Sequence, residues 1–211
     1  MDTILSKTIV EFKVPFFGKN LKNKSDSRSC MFDVRRLLHS PLIIKHVGKR
    51  MAQIVKNKCS GKTLIGIATS GLPWATITSV YTNVPMLYVR KKIEEHMSNK
   101  LIEGILPEDK RLILIDDLLF AGESKRQSIE IIKEHGYEVT DIIVIVDRQL
   151  QRKKDGLPIQ EKYGVKLHSL IKMEEIVECM IKKKGITKKQ LKKLIDDYRR
   201  FERWDMPKFV Q

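Results

Sequence analysis

LILIDDLLFAGES, residues 112–124, is the stretch that decides the fold. Its four consecutive apolar residues predict a buried strand of a parallel sheet, because both faces of such a strand are covered. Two carboxylates, Asp116 and Asp117, come where we expect the strand to end. A short turn of small residues follows, and an amphipathic helical run begins at Ser124. This order predicts an α/β fold with a binding site beyond the carboxyl end of the strand.

The same stretch indicates a ligand chemistry. A turn that leads into a helix N-terminus offers free backbone N–H groups and a positive dipole end, which suit a phosphate. Two adjacent carboxylates accept hydrogen bonds, so they suit the two hydroxyls of a ribose. The stretch therefore predicts a sugar-phosphate site. The structural alternative is a buried strand that ends in a solvated pair of acids.

Apolar runs and helical patterns alternate through the rest of the chain, which predicts a parallel sheet of about five strands with helices on both faces. We expect one domain over 1–211, with an irregular, basic N-terminus inside a small hood (1–38) and two closing helices in 172–211. The further strands are expected at 64–68, 85–89, 142–146 and 165–171, and helices from Pro41 and Pro73.

The composition limits the classes of protein to which this chain can belong. The 41 Lys and Arg residues against 26 Asp and Glu residues give a net charge of +15, which favours anionic ligands. No apolar run approaches the roughly 20 residues of a membrane span. The first residues do not have the pattern of a secretion signal, so we expect none. The three cysteines, Cys30, Cys59 and Cys179, form no CxxC pair, so their spacing predicts neither a zinc site nor a disulfide framework. We expect a cytoplasmic protein.

The C-terminal segment 182–203 carries ten basic residues against three acidic ones. Its apolar stripe includes Leu194 and Tyr198, and Thr187 with Gln190 predicts a capping box at the start of its helix. We expect a solvated helix face. A surface that binds nucleic acid is the less favoured alternative.

Three further turns fall at the ends of predicted strands. Thr69, Ser70 and Gly71 follow the strand at 64–68, and small residues there let the backbone approach an anion closely. Arg148 follows the strand at 142–146, where its guanidinium is a fork for a carboxylate or a carbonyl pair. Each turn taken alone is also compatible with a plain surface loop.

The third turn follows the strand at 85–89 and holds Arg90, Lys91 and Lys92, with His96 further on. Such a cluster is typical of solvated surface. Placed beside a departing anion, it would instead neutralise the charge of the leaving group.

Taken in order, these motifs resemble those of type I phosphoribosyltransferases, and among them orotate phosphoribosyltransferases. Residues 112–124 resemble the family signature for 5-phosphoribosyl 1-pyrophosphate (PRPP), and GIATSGLPWA, residues 66–75, resembles its pyrophosphate loop. The segment from Tyr88 to His96 is similar to the start of the mobile catalytic loop. Asp147-Arg148-Gln149 is similar to the string that supplies an orotate-binding arginine. The resemblance spans about residues 15–170.

The resemblance implies a reaction and a set of roles. Orotate and PRPP would give orotidine 5′-monophosphate and pyrophosphate in pyrimidine nucleotide synthesis, in a homodimer whose catalytic loop is shared between subunits. The cofactor would be Mg²⁺ held mainly by PRPP. The implied catalytic residues are Asp116, Asp117, Arg90, Lys91 and His96. The implied PRPP-binding residues are Thr69, Ser70, Gly71, Asp116, Asp117, Leu118, Leu119, Phe120, Ala121, Gly122, Glu123 and Ser124. The implied orotate-binding residues are Lys22, Phe120 and Arg148.

Among the positions that depart from the family pattern, two bear on the choice of function. Phe120 stands where the phosphate loop usually begins with Thr, and Glu94 stands where the catalytic loop usually carries a second lysine. Both favour a different interpretation, a non-catalytic regulator that senses PRPP or a nucleotide, whereas the retained Arg148 opposes it. A transferase for another base is a third alternative.

Overall fold

The structure is a computed structural model that describes residues 2–17, 29–90, 101–200, 202–203 and 206–210. Its helices are α1 (Thr3–Glu11), α2 (Pro41–Lys58), α3 (Leu72–Thr82), α4 (Glu123–Glu134), α5 (Ile159–Tyr163), α6 (Met173–Lys182) and α7 (Lys188–Arg200). Its strands are β1 (Pro15–Phe16), β2 (Met31–Phe32), β3 (Thr63–Ile67), β4 (Met86–Val89), β5 (Ile102–Glu103), β6 (Arg111–Leu119), β7 (Glu138–Asp147) and β8 (Lys166–Lys172). Short 3₁₀ turns cover Val34–His39, Lys153–Asp155 and Lys208–Val210.

One mixed sheet forms the centre, with the strand order β5-β4-β3-β6-β7-β8. Strands β4, β3, β6, β7 and β8 are mutually parallel, which confirms the predicted α/β fold with a parallel sheet. A sixth strand was not predicted. The two-residue β5 pairs antiparallel with β4 at the edge, too short for any periodic pattern to mark it.

Helices cover both faces of this sheet because the apolar strands present side chains to both sides. Ile113 and Ile115 of β6 pack with residues of α1, α2, α3 and α6 on one face. Leu112 and Leu114 of the same strand pack with residues of α4 and α5 on the other. The continuous apolar run at the start of β6 is thus the middle layer of a three-layer core.

The N-terminus differs from the prediction. We expected residues 1–36 to be irregular, but α1 forms there, and the Asp2 carboxylate caps it by accepting the Leu5 N–H at 3.0 Å. Leu5 and Ile9, one helical turn apart, are fully buried. Helix α1 is stabilised by these two contacts with the core, which the surrounding sequence does not reveal. Strands β1 and β2 pair antiparallel within the hood.

Helices α6 and α7 lie in the C-terminal segment 172–211. The Thr187 N–H donates to Gln190 Oε1 at 2.9 Å and the Gln190 N–H donates to Thr187 Oγ1 at 3.2 Å, so the capping box forms. Leu194 and Tyr198 face the core of the C-terminal region. Among the described helices, none combines the length and the apolar character that crossing a bilayer takes.

Candidate active site

A cavity of about 410 Å³ opens at the carboxyl ends of β3 and β6, beneath the hood. The hood contributes residues 32–35, the end of β3 contributes residues 67–70, and Arg152 lies on the rim. Ten of the predicted site residues line it: Thr69, Ser70, Asp116, Asp117, Leu118, Phe120, Ala121, Gly122, Glu123 and Ser124. The fold therefore brings the predicted ribose and phosphate residues to one place.

The acid pair lies within β6 and not after it. The strand continues to Leu119, with Asp116 opposite Val144 and Leu118 opposite Val146 of β7. Because successive side chains of a strand point to opposite faces, the two carboxylates leave the strand on different sides. Asp116 shares its side with Leu114 and with α4, whereas Asp117 shares the side of Ile115. The two acids therefore have different surroundings.

Asp116 is a buried carboxylate with a buried partner. Lys125 of α4 forms an ion pair with Asp116 Oδ2 and also donates to the Leu118 carbonyl oxygen. The side chains of Asp116 and Lys125 are only 7% and 6% exposed, so each charge depends on the other for compensation. Lys125 was not among the predicted site residues. The available signal was its place on the apolar stripe of α4, in line with Ile129 and Ile132.

Asp117 is the second carboxyl group of the pair, and its charge is not compensated by an ion pair with Lys125. Burial, and then the neighbouring Asp116 carboxylate, raise the pKa of Asp117 to about 7, while Lys125 opposes the rise. Active sites often contain two carboxyl groups with different roles, of which one titrates near neutrality and the other is held in an ion pair.

The turn after β6 has the geometry of an anion cradle. Gly122 adopts a φ of 87°, a left-handed conformation that glycine adopts without strain, and it directly precedes α4. The first amides of α4 have no acceptors within their own helix, and Glu123 and Ser124, the first two residues of α4, line the cavity. The exposed Glu123 carboxylate lies in the first turn of the same helix, so its negative charge opposes the binding of an anion there.

The loop after β3 forms the opposite wall. Thr69 and Ser70 line the cavity, and a cis peptide bond joins Ala68 to Thr69. Gly71 lies behind them, and its N–H donates to the Ile67 carbonyl oxygen at 2.9 Å. A Cβ atom at Gly71 would lie 2.5 Å from the Ile115 carbonyl oxygen, so glycine allows the loop to pack against β6. Gly71 shapes the loop, and its amide is already bonded within the protein.

Arg148 lies behind the cavity wall. Its side chain is buried, and its guanidinium carbon lies 4.6 Å from the ring centre of Phe32 and 4.7 Å from that of Phe120. One guanidinium nitrogen, Nη2, donates to the Cys30 carbonyl oxygen at 3.4 Å. Among the described residues, Arg148 Nε has no hydrogen-bond partner. Both rings line the cavity, so they separate the predicted base-binding arginine from it.

Helix α7 holds this region together, which the sequence analysis did not predict. The Tyr198 hydroxyl donates to the Arg148 carbonyl oxygen at 2.5 Å. Asp197 Oδ2 accepts hydrogen bonds from the backbone N–H and the hydroxyl of Ser29, both at 2.6 Å. The C-terminal helix therefore ties the hood to the end of β7. The apolar stripe of α7 included Tyr198, but nothing in the sequence indicated a partner for its hydroxyl.

Three further arginines lie in or near the cavity. Arg35 and Arg152 line the cavity and were not predicted; they pair with Asp33 and Asp155, respectively, in the structure. Arg90 is half-buried at the end of β4, outside the cavity lining, with its Nε 3.4 Å from Glu103 Oε1. The predicted residues Lys22, Lys91 and His96, and the departure at Glu94, lie outside the described residues.

Comparison with known proteins identifies the family of this chain. A family model described as a phosphoribosyl transferase domain matches residues 33–167. The orotate phosphoribosyltransferase of Pyrococcus abyssi is 31% identical over 181 residues, which are 83% of this chain and 94% of that protein. That of Sulfolobus acidocaldarius is 28% identical over 192 residues, 91% and 94% of the two chains.

Solved structures give the same result. The crystal structure of orotate phosphoribosyltransferase from Aeropyrum pernix has a TM-score of 0.69 at 27% identity, covering 82% of this chain and 96% of that one. The matched family region contains both cavity loops and the acid pair. The chain therefore belongs to the phosphoribosyltransferase family, with orotate phosphoribosyltransferases among its relatives.

Proposed function

We propose that this protein transfers the phosphoribosyl group of PRPP to orotate and releases pyrophosphate and orotidine 5′-monophosphate. One observation carries the proposal: Asp116 and Asp117 face the same cavity as the N-terminus of α4. A ribose phosphate with its hydroxyls on the carboxylates places its phosphate at the helix end. The named relatives, of which this chain covers more than nine-tenths, support orotate as the base.

The acid pair has two tasks in this reaction. Both carboxylates accept hydrogen bonds from the ribose hydroxyls. As the bond from the anomeric carbon to pyrophosphate breaks and the bond to the orotate ring nitrogen forms, positive charge develops on the sugar. Asp117 supplies most of the stabilising negative charge, because Lys125 compensates that of Asp116. This charge acts mainly in the transition state, so its loss lowers kcat.

The leaving group needs positive charge. Thr69 and Ser70 would hold pyrophosphate, and Arg90, Lys91 and His96 would approach it from the neighbouring subunit of a homodimer. The cavity wall fits Mg²⁺, whose preferred ligands are phosphate, carboxylate and water oxygens. PRPP would hold most of the ion, and Asp117 would be the protein carboxylate available to it, since Asp116 is paired with Lys125. When bound, Mg²⁺ neutralises the charge of pyrophosphate and orients it.

The base would bind at the two rings that enclose Arg148. The orotate carboxylate fits a guanidinium fork, and Arg148 keeps one donor, Nε, without a partner among the described residues. A shift of the Phe120 ring would open Arg148 to the cavity and leave the ring stacked on the base. Lys22 is proposed as a second contact.

Three free thiols, Cys30, Cys59 and Cys179, agree with a cytoplasmic setting.

The identity of the base can be tested by incubating the protein with PRPP, Mg²⁺ and one of four bases, and measuring pyrophosphate release. The four bases are orotate, uracil, adenine and hypoxanthine. We expect release with orotate alone, because only orotate carries the carboxylate that Arg148 would bind. Release that is faster with another base would make the protein a transferase for that base.

Activity should depend on pH through Asp117. Below its pKa of about 7 the carboxyl becomes neutral and loses the charge that stabilises the sugar. We expect kcat/KM for PRPP to fall on the acid side, approaching about tenfold per pH unit. The Asp117→Asn variant experiences the same ionisation of the substrate, so the difference between the two profiles reports Asp117. A difference that does not change with pH would contradict this assignment.

Stability should respond to pH in the opposite direction. The folded-state pKa of Asp117 lies above its ordinary value of 3.8, so the folded protein binds this proton more tightly. The contribution of Asp117 to stability is full below about pH 4 and is lost as the pH rises through about 7. In urea unfolding, Asp117→Asn should therefore gain stability relative to the wild type over this range.

Glu123 is expected to weaken PRPP binding. Its carboxylate stands at the helix end where a doubly charged phosphate would bind. We expect Glu123→Gln to lower the KM for PRPP about threefold to tenfold, the range for one partly screened charge. Helix α4 would lose about 0.3–1 kcal/mol of dipole stabilisation. Glu134→Gln, at the other end of α4, makes the same charge change and should leave KM unaltered.

A second function, a non-catalytic sensor of PRPP or a nucleotide, is favoured by one observation. The rings of Phe32 and Phe120 enclose Arg148, which a sensor would not need to expose. Its basic helix α7 would then contact nucleic acid. Calorimetry that shows tight PRPP binding without turnover of any base would favour the sensor. A gel shift that shows no nucleic-acid binding at low salt would reject the nucleic-acid contact.

A further inference from the structure

Three side chains with metal-ligating atoms meet at the amino end of the sheet, remote from the cavity at its carboxyl end. They are Cys59, which follows α2, Asp141 of β7 and His168 of β8. One donor atom from each residue lies within 4.8 Å of the other two. This cluster plays no part in the reaction proposed above.

The position of the cluster separates it from the active site. Asp141 precedes Asp147, at the carboxyl end of β7, by six residues, which is about 20 Å along a strand. Cys59 lies between the end of α2 and the start of β3, at the amino end of the sheet. A ligand here would join three separate elements of the fold and would not touch the substrates.

The carboxylate of Asp141 is already oriented. It is fully buried, and its Oδ2 accepts hydrogen bonds from the Ser60 N–H at 3.2 Å and from the Thr140 hydroxyl at 2.9 Å. Its Oδ1 lies 2.8 Å from His168 Nε2. Bonds of this kind fix a carboxylate in the way that outer partners fix the ligands of metal sites.

The donor set identifies the class of metal. A thiolate, an imidazole and a carboxylate together are ligands of Zn²⁺, and the two negative charges balance the dication. Donors around a tetrahedral zinc ion lie about 3.3–3.8 Å apart, so side-chain shifts of about 1 Å would complete three of its four positions.

Three neighbours of the donors, Ser60, Thr140 and Lys166, line a cavity of about 320 Å³ at this end of the sheet, although the donors themselves do not line it. Water would supply the fourth position of a tetrahedral ion.

We propose that Cys59, Asp141 and His168 form a zinc site that fastens the end of α2 to β7 and β8. On binding, the Cys59 thiol releases its proton to solvent, and His168 Nε2 exchanges its hydrogen bond with Asp141 for a bond to the metal. The cysteine spacing predicted no zinc site, because the three donors are separated by 82 and 27 positions and only the fold brings them together.

The test uses the full chain, freed of metal by a chelator and titrated with Co²⁺, whose bond to a thiolate gives a charge-transfer absorption. We expect one equivalent per chain, displaced by Zn²⁺, and a rise of the Tm with Zn²⁺. Cys59→Ser should abolish the band and the Tm rise, whereas the matched variant Cys179→Ser keeps both. Thr140→Val, which removes an outer hydrogen bond, should weaken Zn²⁺ binding about 10-fold to 100-fold.

Two results would overturn the proposal. One is the absence of a thiolate–cobalt band in the wild-type protein, which would leave the cluster as a hydrogen-bonded clamp only. The other is a band that persists in Cys59→Ser, which would place the ion elsewhere. If Cys59→Ser does not fold, His168→Gln retains the thiol and should still lose tight, stoichiometric binding.

Discussion

Replacing Asp116 and Asp117 together by asparagine is expected to lower kcat/KM for PRPP by at least about 10³-fold. Removing one group that stabilises transition-state charge costs about 10²–10³ in rate, and this variant removes two. The amide oxygen introduced by Asp116→Asn would still accept a hydrogen bond from Lys125, and Lys125 keeps its contact with the Leu118 carbonyl oxygen. The fold should therefore survive, although with lower stability.

The measurement is calorimetry with PRPP and Mg²⁺ alongside steady-state kinetics. Asp117→Asn alone leaves the ion pair of Asp116 with Lys125 intact, so its loss of activity reports the charge on the sugar. Asp109→Asn, an acid that precedes β6 and pairs with Arg111, is the matched control and should behave as the wild type. Unchanged PRPP affinity in the double variant would refute the ribose assignment.

Arg148→Ala is expected to raise the KM for orotate about 30-fold to 1,000-fold and to change the KM for PRPP little. Loss of a bidentate, charge-assisted contact costs about 2–4 kcal/mol, and Arg148 is the cation enclosed by the two rings of the proposed base site. Arg148→Lys keeps the charge but loses the planar fork, so it should recover only part of the affinity.

The same variant separates a binding role from a structural one. Arg148 is buried and donates to the Cys30 carbonyl oxygen, so its removal also weakens the contact between hood and sheet. If both KM values rise equally, Arg148 acts by holding the hood in place. Tyr198→Phe provides the comparison, because it releases the Arg148 backbone without touching the guanidinium.

The central fold was predictable because its strands are continuous apolar runs between helical patterns. The runs in β6 and β7 are long enough to mark buried strands without any knowledge of their neighbours. The parts that were missed are short. Helix α1 has only nine residues and depends on the burial of Leu5 and Ile9. Strand β5 has two residues, which are too few for a periodic pattern.

The candidate site was predictable where its residues follow one another in sequence and not where the fold pairs distant ones. Residues 116–124 are contiguous, and all but Leu119 line the cavity. The ion pair between Asp116 and Lys125 joins a strand to the next helix. The bond from Tyr198 to Arg148 joins positions fifty apart. Such contacts depend on tertiary packing, which local sequence patterns do not encode.

The most direct test of the central claim follows orotate in a mixture of the purified protein, PRPP and Mg²⁺. We predict that orotate absorbance falls at the same rate as pyrophosphate appears, in a one-to-one ratio, with orotidine 5′-monophosphate as the product by mass. Omission of PRPP should stop both changes. No loss of orotate from a folded protein that binds PRPP tightly would contradict the enzyme and favour the sensor.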